Sequence, residues 1–209
     1  PWCWVGKRHL EEAIHNLSED VSFQINWCPF FLNPDTTDEG IPVLDYLARK
    51  YGRQAAEAAR TGTSSLAQLG EKMGLKFNMN RMIVNTLKSH CLLDYAKTIG
   101  KQNELAEVLF NNYFRHAKRI DKFNVLREAT EACNIDWSAA SNHMTKDDVV
   151  QHVKQEAATA RESGIHSVPH YQIYLKSNPE NVIQFSGAQP AATMLSVIKK
   201  VLPFKKSKV

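Results

Sequence analysis

A thiol and an imino acid carry most of the chemistry that this sequence offers. Cys3 stands between Trp2 and Trp4, at the head of a stretch in which Val5, Leu10, Ala13, Ile14 and Leu17 recur at helical spacing. Pro1 suits a helix start, because the N–H it lacks would be unpaired there. A sulfur at a helix mouth meets unpaired N–H groups and the positive end of the helix dipole, and both favour a thiolate. The chemistry expected of Cys3 is therefore redox. Far downstream, Gly164-Ile165-His166-Ser167-Val168-Pro169 runs into strand-like sequence, and an X-Pro bond at such a junction is where a cis peptide is accessible. Ser186-Gly187-Ala188-Gln189-Pro190 links the last strand-like run to a final amphipathic one. Taken singly, each feature has a plainer reading: a packed cysteine, a trans turn and a helix cap.

The remaining cysteines are Cys28, Cys91 and Cys133. The spacings match neither a zinc-binding pattern nor a compact disulfide framework, so no metal site is expected. Cys91 and Cys133 lie in helical stretches and read as small buried residues. His9 and His166 sit near the Cys3 and Val168-Pro169 segments in sequence; they read as solvated side chains, with tuning of the thiolate as the alternative.

Several elements must hold these residues in place. Val21 to Trp27 alternates strictly between apolar and polar residues, which predicts a half-buried strand ended by Pro29. Phe30-Phe31-Leu32-Asn33-Pro34 reads as an apolar loop. Residues 37–163 are almost wholly helical in pattern, with stripes such as Ile83, Leu87, Cys91 and Tyr95, and stops at Gly52, Gly100 and Gly164. His170 to Leu175 and Val182 to Phe185 read as a hairpin around a turn from Lys176 to Asn181, and Ala191 to Val201 as a last helix. A strand crossover needs only a dozen or so residues. The helical block is far longer, so residues 37–163 are expected to form an insertion in an α/β domain built from 1–36 and 164–209. That domain is one strand short of a helix-covered mixed sheet, and the missing strand is expected ahead of Pro1.

With 209 residues the chain lies between one and two domains of about 150 residues. A composition of 43% hydrophobic and 23% charged residues excludes a disordered tail, a collagen-like fibre and a disulfide-dense miniprotein. No apolar run approaches the ~18 residues of a membrane span, so a soluble protein with no membrane partner is expected. The net charge of +4 comes partly from a basic end, Lys199, Lys200, Lys205, Lys206 and Lys208. This reads as a solvated terminus, and no nucleic-acid partner is expected.

In order along the chain, these features resemble the DsbA-like thioredoxin-fold superfamily, and most closely its FrnE-like branch. Pro1-Trp2-Cys3-Trp4-Val5-Gly6-Lys7-Arg8-His9-Leu10-Glu11-Glu12-Ala13 is similar to the second residue onward of that branch's Cys-Pro-Trp-Cys motif. Trp27-Cys28-Pro29-Phe30-Phe31-Leu32-Asn33-Pro34 resembles its loop after the second strand, and Arg81 with Asn85-Thr86-Leu87-Lys88-Ser89-His90 its insertion-helix signature. Gly164 to Pro169 resembles the cis-proline loop and Ser186 to Pro190 the closing turn.

The resemblance implies an α/β, thioredoxin-like fold with a large all-helical insertion and a thiol–disulfide oxidoreductase activity. Cys3 would be the resolving cysteine, partnered by an attacking cysteine immediately before Pro1. Pro1, Trp2 and Trp4 would complete the motif. Val168 and a cis Pro169 would lie against Cys3 and bind an extended substrate, while Phe30, Phe31 and Leu32 would wall its cleft. Cys28 is expected on the same edge as Cys3, as a buried spectator or, less simply, its disulfide partner. The implied partner is a thiol or disulfide substrate: a protein, a peptide or glutathione. No bound cofactor is expected, with glutathione as an available co-substrate, and the cysteine usage suits the cytoplasm. Two other readings stay open. One is a glutathione-dependent isomerase or transferase of the 2-hydroxychromene-2-carboxylate isomerase or kappa type, with Ser before Pro1. The other is a non-catalytic peptide-binding module.

Overall fold

The computed structural model describes residues 1–17 and 21–202. Lys205, Lys206 and Lys208 of the basic end lie outside the described residues, whereas Lys199 and Lys200 close the last helix. The helices are α1 (Trp2–His15), α2 (Val43–Tyr51), α3 (Arg53–Arg60), α4 (Ser65–Lys72), α5 (Leu87–Thr98), α6 (Gln102–Phe110), α7 (Phe123–Ala132), α8 (Trp137–Met144), α9 (Asp147–Glu162) and α10 (Ala191–Val201). The strands are β1 (Ile41–Pro42), β2 (Met82–Ile83), β3 (His170–Leu175) and β4 (Asn178–Ser186). Two units result: Ile25–Gly164 together with Pro1, and Trp2–Gln24 with Ile165–Val209.

In the second unit, β3 and β4 pair antiparallel from His170 opposite Ser186 to Ile173 opposite Ile183, with an irregularity before Leu175 pairs Asn178. Strand alternation turns Tyr171, Ile173 and Phe185 inward. They pack with Leu10, Ala13, Ile14, Met194 and Ile198 from α1 and α10. The hairpin closes through Lys176-Ser177 alone, tighter than the predicted six-residue turn. Pro179 is accommodated because it lies in an exposed strand of a two-stranded ribbon, where its missing donor leaves no buried gap.

The larger unit is held by a core of fully buried side chains on α5 to α9 and at the end of α7, among them Cys91, Leu92, Leu105, Leu126, Cys133, Met144 and Val153. One of its helices, α8, lies outside the predicted stripes, because only Ala140 and Met144 of it are buried. Its start is nevertheless chemically marked: the Asp136 carboxylate accepts the Ala139 N–H at 2.7 Å. The helices are joined to a short antiparallel ribbon in which Ile41 faces Ile83 and Pro42 faces Met82. After α6 the chain widens into a π-helical turn, Asn111–Arg115, from which the Tyr113 hydroxyl donates to the Met82 carbonyl at 2.8 Å.

The strand predicted over Val21 to Trp27 is absent from the described residues. Alternation suits a residue run to a ladder, but only a partner strand makes one, and none pairs here. At the end of the run a side chain acts as the partner instead. The Trp27 N–H donates to Gln102 Oε1 at 2.8 Å, and Gln102 Nε2 donates back to the Trp27 carbonyl at 2.9 Å. Trp27 Nε1 also donates to Asn103 Oδ1 at 3.0 Å. These bonds tie Trp27 to α6, inside a unit that runs from Ile25 to Gly164, where the sequence pattern predicts an insertion over 37–163. No helix among the described residues is long and apolar enough to cross a membrane.

Candidate functional site

Cys3 is the second residue of α1. It is followed by the buried Trp4 and Val5, while Trp2 is 39% exposed. Pro169 is buried, the Val168-Pro169 peptide is cis, and the Pro169 carbonyl accepts the Gly187 N–H at 2.8 Å. The closing turn from Ser186 is thus pinned to the proline loop by a backbone bond.

Gly6 joins the two halves of the site. Residues three apart share a helix face, so Gly6 and Cys3 lie on one stripe of α1. A side chain at Gly6 would come 3.1 Å from Pro169 Cγ and would overlap the Tyr171 hydroxyl outright. The missing Cβ is what lets the proline loop and the first turn of β3 approach the helix that carries Cys3. Gly6→Ala is expected to force the ring of Tyr171 and Pro169 outward, costing about 1–3 kcal/mol by overpacking. Urea unfolding of the variant measures that cost.

The electrostatics of Cys3 differ from the expectation at a helix mouth. Burial pushes its thiol above the ordinary value of 9.0, and a hydrogen bond from its own backbone only partly offsets this. Desolvation of the charged form outweighs the helix start. Alkylation of reduced Cys3 is therefore expected to be slow at neutral pH and to accelerate only as the pH climbs past the ordinary thiol range. Iodoacetamide kinetics followed at the Cys3 peptide give this profile. Beside it, the Tyr171 phenol is also pushed up, first by burial and then by the charge of Cys3.

Phe30, Phe31 and Leu32 belong to the helical unit. Phe31 meets the His90 ring edge-on at 4.9 Å, and its carbonyl accepts Arg161 Nη2 at 2.6 Å. The Arg161 guanidinium lies 5.2 Å from the Phe30 ring centre. Leu32 is 54% exposed and borders a groove of about 320 Å³ with Ile41, Tyr46 and Ile83. His90 bonds the Thr86 carbonyl, and burial pushes its pKa down, keeping it neutral.

All four cysteines are free. Cys91 and Cys133 are fully buried, and burial pushes each thiol up to about 11. Cys28 is exposed rather than buried. Although the residue is exposed, partial desolvation of its sulfur and the charge of the neighbouring Glu156 carboxylate both push its thiol up. The strand expected to carry it does not form, which leaves the residue on an open segment. His166 is exposed, and His9 Nδ1 is buried without a hydrogen-bond partner among the described residues.

Two residues escaped the sequence reading of roles. Arg81 is buried, donates from Nη1 to the Asn78 carbonyl at 2.9 Å and lies over the Phe114 ring, a structural cation inside the helical unit. Tyr171 is the other. Its signal was present as a hydroxyl-bearing aromatic two residues after Pro169, matched by a glycine one turn beyond Cys3.

Residues 1–199 match the DsbA-like thioredoxin domain. The chain belongs to that family. A probable DsbA oxidoreductase from Streptomyces coelicolor superposes with a TM-score of 0.81 at 23% identity, over 98% of this chain and 88% of that one. No curated protein matches the sequence. The fold is accordingly the thioredoxin-like DsbA fold with its helical insertion, rich in helix and carrying small sheets. In this DsbA-like chain, Cys3 occupies the helix that opens the thioredoxin-like unit and Pro169 the loop before its hairpin.

Proposed function

We propose that this DsbA-like protein is a thiol–disulfide oxidoreductase of the FrnE-like branch, acting in the cytoplasm, with Cys3 as its resolving thiol. The single observation that carries the reading is the meeting of the Cys3 helix and the cis Val168-Pro169 loop through Gly6 and Tyr171. The attacking cysteine of this scheme precedes Pro1. Its thiolate attacks one sulfur of a substrate disulfide, and the electron pair of the broken S–S bond leaves on the other substrate sulfur, which takes up a proton. Cys3 then gives up its proton and attacks the mixed disulfide. The second substrate thiol departs and the protein's own disulfide forms. The substrate has gained two electrons and two protons, and the protein dithiol has lost them.

The raised thiol of Cys3 suits this role. A resolving cysteine attacks only after a mixed disulfide has formed, so it need not stand as a thiolate at rest. Val168 presents backbone groups to an extended peptide or to glutathione at the loop, a strand-like mode of recognition. Reduction of insulin by dithiothreitol tests the proposal on the protein including the residues before Pro1. Acceleration over the uncatalysed rate is expected. No acceleration, together with conjugation of glutathione to a chlorinated aromatic acceptor, would overturn it in favour of the glutathione-transferase reading.

A further inference from the structure

The geometry points to the Tyr171 hydroxyl, seated over Gly6 one turn along α1 from Cys3, as the hydrogen-bond donor that holds the Cys3 thiolate. The ring of Tyr171 is clamped by a stacked Phe185, with centres 4.8 Å apart and planes 18° from parallel. It packs into the α1–α10 core of its own unit, so its hydroxyl has little freedom to point elsewhere. That hydroxyl occupies the notch left by the absent Cβ of Gly6, on the helix stripe that Cys3 shares.

A phenolic hydroxyl is a donor that takes an acceptor where one is offered. A thiolate forming at Cys3 would supply the acceptor. Burial and the charge of Cys3 keep the phenol protonated, which is the state that can donate. A thiolate withdrawn from water needs such a donor, since hydrogen bonding to the charged form is what favours it against desolvation. No covalent bond changes in this step and no proton is transferred. The hydroxyl is shared with Sγ whenever the sulfur carries its electron pair unbonded.

The inference shares Cys3 with the proposed oxidoreductase reading, but its measurement does not require turnover. Tyr171→Phe retains the ring and its stacking and removes only the hydroxyl. The readout is iodoacetamide alkylation of reduced, full-length protein across neutral to alkaline pH, localised to Cys3 by peptide mass spectrometry. The Cys3 titration is expected to move up by about one unit, so that alkylation below it slows about tenfold. A variant with lower stability but the parent's Cys3 titration would mark Tyr171 as packing alone and overturn the inference. Should Tyr171→Phe not fold, Cys3→Ala with carbon-13-labelled tyrosine decides. The Tyr171 phenol is then expected to titrate lower, and an unmoved titration overturns the proposal. Insulin reduction measured in parallel separates the two ideas. A shifted Cys3 titration in a protein that reduces no disulfide sinks the enzyme reading and leaves the hydrogen bond standing.

Discussion

Cys3→Ala is expected to bring dithiothreitol-driven insulin reduction down to the uncatalysed rate. Exchange proceeds through a mixed disulfide, and clearing it from the protein side requires a second thiol held within reach. Alanine removes the sulfur and little else: the residue sits in the first turn of α1, where its neighbours Trp4 and Val5 supply the buried contacts. The variant should keep its far-ultraviolet circular dichroism. It should also accumulate a covalent adduct with substrate that runs as a heavier band on a non-reducing gel. A variant that reduces insulin at the parent's rate would show that the chemistry lies elsewhere in the molecule.

Leu92→Ala is expected to have the largest effect on stability, about 3 kcal/mol within the 2–5 kcal/mol typical of such truncations. Leu92 is fully buried in α5, in a cluster with Cys91, Leu105, Leu126 and Met144. Helices α6, α8 and α9 all pack on α5, so the cavity is walled on several sides and cannot collapse easily. The loss corresponds to a fall of about 6–12 °C in melting temperature for a chain of this size. Differential scanning calorimetry reads it. A fall of less than a degree or two would mean that the cluster repacks.

Hydrophobic period made most helices legible, because a helix in contact with a core must repeat its buried face every three or four residues. α5 and α9 were readable for that reason. α8 was not, since Trp137–Met144 buries too little to show a stripe, and its one clear sign was the capping Asp136. The two-residue β1 and β2 are too short to have a period at all.

The candidate site was legible in part. The order of Cys3, Pro169 and the Ser186 turn pointed to it through a family resemblance. The residues that join its halves, Gly6 and Tyr171, carry no motif that marks them as partners. Their pairing exists only because β3 folds back against α1.

What the amino-acid order determined alone was local: which segments are helical, where glycine and proline interrupt them, and which cysteine stands at a helix mouth. These follow from backbone preferences and from the spacing of apolar side chains, both short-range properties. Tertiary structure alone decided that Val21 to Trp27 forms no strand, because a ladder is made by a partner. It decided that Trp27 binds Gln102 instead. And it decided that the Cys3 thiol is pushed up rather than down, because desolvation depends on everything packed around the sulfur.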